Sequence, residues 1–436
     1  MNILMFNTNN PRKTAGNVAL DLFLEFRKQG HRAVLMVNEA DPGYPEGIIN
    51  MKSAWRAFRE RMTGKIRRRL GLNRVIVSDP DFHFQELQED KMFYSTGDLL
   101  KKAGIQPDVI VLFFAKNFIN TKNIFELHQR TGAPVFWLIY DMAPMTGGCH
   151  YAWDCTGYQR SCGACPGLFS SDPKDLTWRN LQYKKSYLDK TDLRIVSGAE
   201  WQYRQVKKST LFKDHIVHKI LNGINSKVFC PADKQKVRNE IGIPGAKKVI
   251  FFGAVYLDHK RKGFDYLFES LDILKKLLRE NGKDENEVLL LVAGQEFGRI
   301  RNRLPFAYHY MGMLESSEEI ASAYQAADLF VCPSVEESGP TMVNQSVMCG
   351  TPVVAFEMGV SLDLVITGKT GYLATLRDSD DLARGMYRVL EMNKDEQQTM
   401  QHNCRQLALD LFHPDVNNAS WKRIITGAVE PAKVMA

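Results

Sequence analysis

Three groups of residues in this sequence have the types and spacing for chemistry. The first is Pro333-Ser334-Val335-Glu336-Glu337-Ser338-Gly339-Pro340-Thr341-Met342, which runs from an apolar strand pattern (Leu329-Phe330-Val331) into a helical one (Val343–Cys349). A strand end feeding a helix N-terminus offers unpaired backbone N–H groups and the positive end of the helix dipole. Such a place suits a diphosphate. Gly339 would let the backbone come close to it, and the Glu337 carboxylate could accept hydrogen bonds from sugar hydroxyls. The second group is Cys149, Cys155, Cys162 and Cys165, separated by five, six and two residues. A C-x-x-C pair with two more thiolates can close a tetrahedral structural zinc site, with His150 as a spare ligand. Four unligated thiols are the other reading; disulfides do not suit a reducing compartment. The third group lies between Lys52 and Arg74, where nine basic residues face the single acid Glu60, a local charge of +8 in a chain whose net charge is +7. The remainder is almost neutral, so an anionic partner would be met at this stripe.

The elements that must position these residues follow from hydrophobic period. Ile3–Phe6, a helical Asn17–Lys28 with Val18, Leu22 and Phe26 on one face, and a strand-like His31–Val37 make a β-α-β start. Val109–Phe113 and Val135–Ile139 are continuous apolar runs, as expected of strands covered on both faces. The rhythm restarts with strands at Val249–Phe252, Val288–Val292, Leu329–Val331 and Pro352–Ala355, and helices at Phe264–Arg279, Glu318–Ala327 and Val343–Cys349. Two successive β/α halves joined near Asn222–Asp233 predict an α/β protein of two Rossmann-like domains with a cleft between them. The 436 residues, 44% of them hydrophobic, allow two or three domains with a large core. No G-x-G-x-x-G follows the first strand, which argues against a dinucleotide oxidoreductase. No run of 18 apolar residues is present, and Met1–Asn7 reads as a first strand, so the expected compartment is the cytoplasm.

The stretch from Glu337 to Val354 resembles the signature of family 4 of the retaining GT-B glycosyltransferases: Glu, seven residues, Glu, then Ala-x-x-x-Gly-x-Pro-Val-Val. Glu337 falls on the first Glu, Gln345 on the second, and Gly350-Thr351-Pro352-Val353-Val354 on the tail. Asn222-Gly223-Ile224-Asn225 with Phe229 resembles the family's Asn-Gly-x-Asp-x-x-x-Phe, and Arg261-Lys262-Gly263 its Arg-Lys-Gly. Tyr324–Asp328 and Thr370–Leu373 match further landmarks. A lone turn glutamate is more often solvated and a lone Arg-Lys-Gly more often a surface loop; the shared order and spacing carry the resemblance.

The resemblance implies the GT-B fold: an acceptor-binding domain over 1–210 with a cysteine-rich insert at 146–170, a donor-binding domain over 211–411, and a segment over 412–436 crossing back to the first domain. It implies a metal-independent hexosyltransferase that moves sugar from a UDP- or GDP-linked donor with retention. Glu337, Lys262 and Asp141 would be catalytic. Arg261, Lys262, Glu337, Ser338, Gly339, Pro340, Thr341, Met342 and Gln345 would bind the donor, Lys262 at the diphosphate and Gln345 at the ribose. A cation at Lys262 would neutralise charge developing on the leaving diphosphate. Gly16, Asn17, Tyr140 and Asp141 would face the acceptor, Tyr140-Asp141 standing where the family has His-Asp. Ala254 follows Gly253 where the family often has Arg, leaving Lys260 or Arg261 to supply a second cation. In the basic stripe, Trp55, Phe58, Met62, Ile66 and Leu70 recur at helical steps opposite the cations, which suits an anionic membrane surface contacted by residues 52–74; no nucleic-acid module accompanies it. A peripheral enzyme at the inner face of the membrane would suit a glycan or lipid-linked acceptor in surface polysaccharide assembly. A non-catalytic partner subunit with this fold, or a nucleotide-sugar epimerase or hydrolase, remains the alternative.

Overall fold

The computed structural model describes residues 1–10, 17–38, 43–52, 62, 77–84, 87–244, 247–257, 259–339 and 341–433. The chain divides into two compact units. One comprises Met1–Ser197, Tyr203–Lys219 and the chain from Asn418 onward; the other comprises Gly198–Gln202 and Ile220–Asn417.

The first unit is built on a seven-stranded parallel sheet in the order β3-β2-β1-β4-β5-β6-β7. Its strands are β1 (Asn2–Asn7), β2 (Arg32–Val37), β3 (Ile48–Asn50), β4 (Val109–Leu112), β5 (Val135–Ile139), β6 (Leu193–Ser197) and β7 (Ile216–Lys219). β1, β2, β4 and β5 are the expected apolar runs, and β4 and β5 are buried throughout. Helix Asn17–Lys28 lies where its period placed it. This unit runs on to Lys219, past the expected boundary at 210, because β7 pairs in parallel with β6. The chain re-enters it within the helix Pro414–Lys433, where Trp421 and Ile425 are fully buried.

The second unit carries a six-stranded parallel sheet, β10-β9-β8-β11-β12-β13. Its strands are β8 (Lys248–Tyr256), β9 (Val288–Gln295), β10 (Ala307–Tyr310), β11 (Leu329–Cys332), β12 (Val353–Phe356) and β13 (Gly371–Ala374). β8 and β9 extend beyond their apolar cores, and β10, mostly exposed at the edge, carries no apolar run. Each sheet reverses strand order beside its first strand, between β1 and β4 and between β8 and β11. In parallel sheets the crevice at the carboxyl ends beside such a reversal is where ligands bind.

One ion cluster locks the second unit at the base of β11. Asp328 accepts from Lys234 Nζ, Arg238 Nη2 and the Val249 N–H, each at 2.7 Å. Arg238 also donates to the carbonyls of Ala326 and Lys247. Burial alone would raise the Asp328 carboxyl, but Lys234 and Arg238 outweigh it and hold it below the ordinary value. Its stabilisation is therefore complete above the unfolded carboxyl pKa of ~3.9 and is lost as pH falls through the lower folded value. Asp328→Asn should cost roughly 3–5 kcal/mol at neutral pH, because it leaves two cations facing a neutral amide. Denaturant melts at pH 7 and pH 3 check this: the difference between wild type and variant should shrink at the lower pH.

Candidate functional site

At the carboxyl ends of β8 and β11, two loops are sewn together by their backbones. After β8, Lys260–Lys262 form one tight turn ending at Gly263, whose φ is 69°. After β11, Pro333–Gly339 leads into the helix Thr341–Met348. The Val335 N–H donates to the Arg261 carbonyl at 2.9 Å. A Cβ on Gly263 would stand 1.8 Å from the Pro333 carbonyl oxygen. Only glycine permits both this approach and this φ.

The seam brings opposite charges together. Glu337 Oε2 accepts from Lys262 Nζ at 2.6 Å and also from Arg261 Nη1. Both cationic side chains keep about a fifth of their surface exposed and Glu337 keeps less, 13%. Burial pushes the Glu337 carboxyl up, but Lys262 and Arg261 together overcome it and hold the net value below the ordinary range. Glu337 is thus an anion at neutral pH, pinned at the sheet's carboxyl edge beside a helix N-terminus. Ser338 is buried, and its Oγ has no hydrogen-bond partner among the described residues. A Cβ on Gly339 would meet only the Ala199 Cβ at 3.9 Å, so the close approach of this loop is made at Gly263. Pro340 lies outside the described residues. Thr341 is exposed and Met342 half-buried at the helix start. One turn on, the half-buried Gln345 accepts from the hydroxyl of the fully buried Tyr324 at 3.2 Å. Of the two cations considered for a second positive charge, Arg261 reaches Glu337; Lys260 lines a separate cavity with His259, Arg299 and Arg303.

In the first unit, Tyr140 and Asp141 follow β5. The Tyr140 ring stacks on Phe114 at 4.6 Å. Burial, with the charge of Asp21 adding, pushes its hydroxyl far above the ordinary value, so it stays protonated. Asp141 is buried and accepts from the Ala143 N–H at 2.8 Å. Burial pushes its carboxyl up to about 6, against the lowering by that N–H, Lys184 and Lys116. The sequence reading missed a side-chain partner of this carboxylate: His150 Nδ1 stands 3.2 Å from Asp141 Oδ2. A histidine does meet this carboxylate, but from the cysteine-rich loop rather than from position 140. A second residue missed is Lys184, fully buried, which donates to the carbonyls of Ala143 and Thr146 and fixes the loop after Asp141. Asn17 opens its helix; Gly16 lies outside the described residues.

Residues 246–392, about a third of the chain, match the family of glycosyl transferases group 1. Sucrose-phosphate synthase from Thermosynechococcus elongatus superposes with a TM-score of 0.68 at 16% identity, covering 98% of each chain. Anabaena HepE, solved with UDP and glucose, gives 0.62 at 16% identity, covering 98% of this chain and all of that one. The chain has the GT-B fold. Among curated relatives, D-inositol 3-phosphate glycosyltransferase of Nocardiopsis dassonvillei is 26% identical over 45% of this chain and 47% of its own length. A glycosyltransferase of Methanocaldococcus jannaschii is 26% identical over 52% and 57%. The chain thus spans about half the length of the curated relatives it matches.

Within this GT-B chain the four thiols of the insert line one cavity of about 20 Å³. That is the size of a single water or ion. Even so, no group of three or more His, Cys, Asp or Glu among the described residues is arranged to hold a metal ion. Burial pushes Cys149 above the ordinary thiol range, Cys162 up to about 12, and Cys165 up as well. The basic stripe lies outside the described residues apart from Lys52 and Met62, and among the described residues no helix is long and apolar enough to cross a membrane.

The Gly263 seam makes a sharp prediction. Gly263→Ala must part the two loops or strain φ, at roughly 2–5 kcal/mol. Its melting temperature should fall, while Gly339→Ala should melt close to wild type. Equal melting of both variants would contradict the placement of the close approach.

Proposed function

We propose that this chain is a glycosyltransferase that moves a sugar from a nucleoside-diphosphate sugar, UDP- or GDP-linked, to a glycan or lipid-linked acceptor with retention of anomeric configuration and without a catalytic metal. The observation that carries this reading is the Arg261–Lys262–Glu337 cluster held at a helix N-terminus on the carboxyl edge of the second sheet. A diphosphate arriving there would take over the two cations, with helix N–H groups supplying further donors. Glu337, released from its partners, would accept from the sugar hydroxyls. As the glycosidic bond breaks, negative charge grows on the leaving diphosphate, and Lys262 and Arg261 stabilise it without prior reorganisation. The buried Ser338 hydroxyl offers one more donor at this edge. Gln345 would contact the ribose through its amide. Asp141, with Tyr140 and His150, would orient the acceptor hydroxyl.

The match of residues 246–392 to glycosyl transferases group 1 and the likeness to sugar-transferring enzymes support this reading. The UDP in the Anabaena structure supports a nucleotide donor. The basic stripe extends the proposal to an anionic membrane surface at the cytoplasmic face and an acceptor used in surface polysaccharide assembly.

With donor and acceptor supplied, Glu337→Ala and Lys262→Ala should each lower transfer about 10²–10³-fold while the protein stays folded, Glu337→Ala melting lower because it leaves Lys262 and Arg261 without their counter-charge. A panel of UDP- and GDP-sugars should raise the wild-type melting temperature, and Lys262→Ala should lose that rise. Unchanged turnover in both variants would sink the reading.

For the thiol cluster we propose a structural zinc that draws the four sulfurs together and takes no part in the reaction. Metal analysis of the purified chain should find about one equivalent of zinc, with the melting temperature falling on chelation. A metal-free chain that melts normally would leave four unligated thiols.

A further inference from the structure

The first unit holds a cavity of about 330 Å³ that neither the donor reading nor the expected acceptor residues use. It opens at the carboxyl end of β4, beside the point where the strand order reverses between β1 and β4. Its size is at the lower end of small-ligand pockets, ~300–1,000 Å³.

Its lining mixes aromatic rings with polar groups. Phe84, Phe93 and Trp137 supply the rings, and Gln88, Lys91 and Lys116 supply polar and charged ends. Lys91 Nζ sits 4.6 Å from the centre of the Phe93 ring. Thr121, also in the lining, is buried, yet its Oγ1 has no hydrogen-bond partner among the described residues. Aromatic faces suit the C–H face of a pyranose, and convergent polar groups suit its hydroxyls.

A phosphate fits this place poorly. The adjoining helix Thr121–Thr131 already has its first N–H groups satisfied: Thr121 N–H donates to Glu89 Oε1 at 2.6 Å, and Asn123 N–H to Asn120 Oδ1 at 2.9 Å. A carboxylate at that helix end would repel an anion. The wall itself is pre-set. Asn120 Nδ2 donates to the Glu89 carbonyl, and Asn180 Oδ1 accepts from the Glu89 N–H.

The cysteine-rich loop holds the opposite wall. Phe84 bridges to Cys149, and the His150 N–H donates to the Phe82 carbonyl. The Phe82 and Phe84 rings stack at 6.1 Å. A Cβ on Gly167 would stand 2.6 Å from Phe82 and 2.9 Å from Phe84, so that glycine is what lets both rings lie on the loop.

We propose that this cavity is a saccharide subsite that holds a sugar unit of the acceptor, with the cysteine-rich loop setting the position of its aromatic wall. The proposal rests on the glycosyltransferase reading. It adds that acceptor selection is made by Phe84, Gln88, Lys91 and Phe93, with Phe84 set against the cysteine-rich loop.

Saturation-transfer difference NMR on the full chain tests it, with the methyl glycosides of glucose, galactose, mannose and N-acetylglucosamine, and with glucuronate, as probes. At least one probe should give signal, and Phe93→Ala and Gln88→Ala should each reduce it at least fivefold. Gln88 is exposed, so its variant has no reason to misfold. The melting shift given by UDP or GDP should be unchanged in both variants. No signal from any probe, or equal signal in wild type and variants, overturns the subsite. Sugar signal lost in the variants, with no nucleotide shifting the melting temperature of wild type, would retain the subsite and reject the glycosyltransferase reading.

Discussion

The close passage of Gly263 beneath the Pro333 carbonyl is the constraint on which the carboxyl edge of the second sheet depends. It sets the Arg261 carbonyl against the Val335 N–H and fixes two loops from different strands to one another. Charge alone would not hold Glu337 between Lys262 and Arg261. An ion pair of long side chains loses rotamer entropy on forming, and desolvation of its charges offsets part of the Coulomb gain. Here the backbones are already joined, so both cations meet the carboxylate with little further ordering. The low carboxyl pKa of Glu337 follows from the same arrangement.

That arrangement also stores the means of binding an anion. Two cations kept together without a counter-charge would repel one another, and Glu337 supplies that counter-charge. A diphosphate carries more negative charge than one carboxylate, and the helix N-terminus adds donors that Glu337 does not use. Exchange of one anion for another is less costly than assembling the cations afresh. In the proposed reaction the released Glu337 finds a second task at the sugar hydroxyls, so one seam serves both ends of the donor.

Much of this was legible in the residues. Apolar runs placed β1, β2, β4, β5, β8, β9, β11 and β12, and the spacing from Glu337 to Val354 singled out the loop and helix that follow β11. β3, β7 and β10 escaped because they are short and lie at sheet edges, where half their surface needs no apolar cover. β6, Leu193–Ser197, is interrupted by Arg194, whose guanidinium lies over the Phe136 ring instead of entering the core. The backbone passage at Gly263 escaped too: the forbidden contact there is with the Pro333 carbonyl, and no local pattern reveals which backbone another strand's loop will cross. His150 beside Asp141 was hidden for the same reason. The two are nine residues apart, and their pairing depends on a loop with no period to read.

Gln345 illustrates how a substitution in a signature can be read once its surroundings are known. The buried Tyr324 hydroxyl donates to its Oε1, and a carboxylate there could have accepted that bond as well. The hydroxyl would therefore be satisfied by either residue, and Tyr324 gives no reason to prefer the amide. The difference lies at the other end of the side chain. A glutamate would present a second acceptor to a ribose hydroxyl, whereas Gln345 presents an N–H₂ group that can only donate. In the proposed complex the ribose must then accept from position 345 and find its own acceptor elsewhere. The exchange changes the direction of one hydrogen bond and removes one negative charge from the proposed site of a polyanion, so the lost charge assistance would be partly offset by weaker repulsion of the diphosphate.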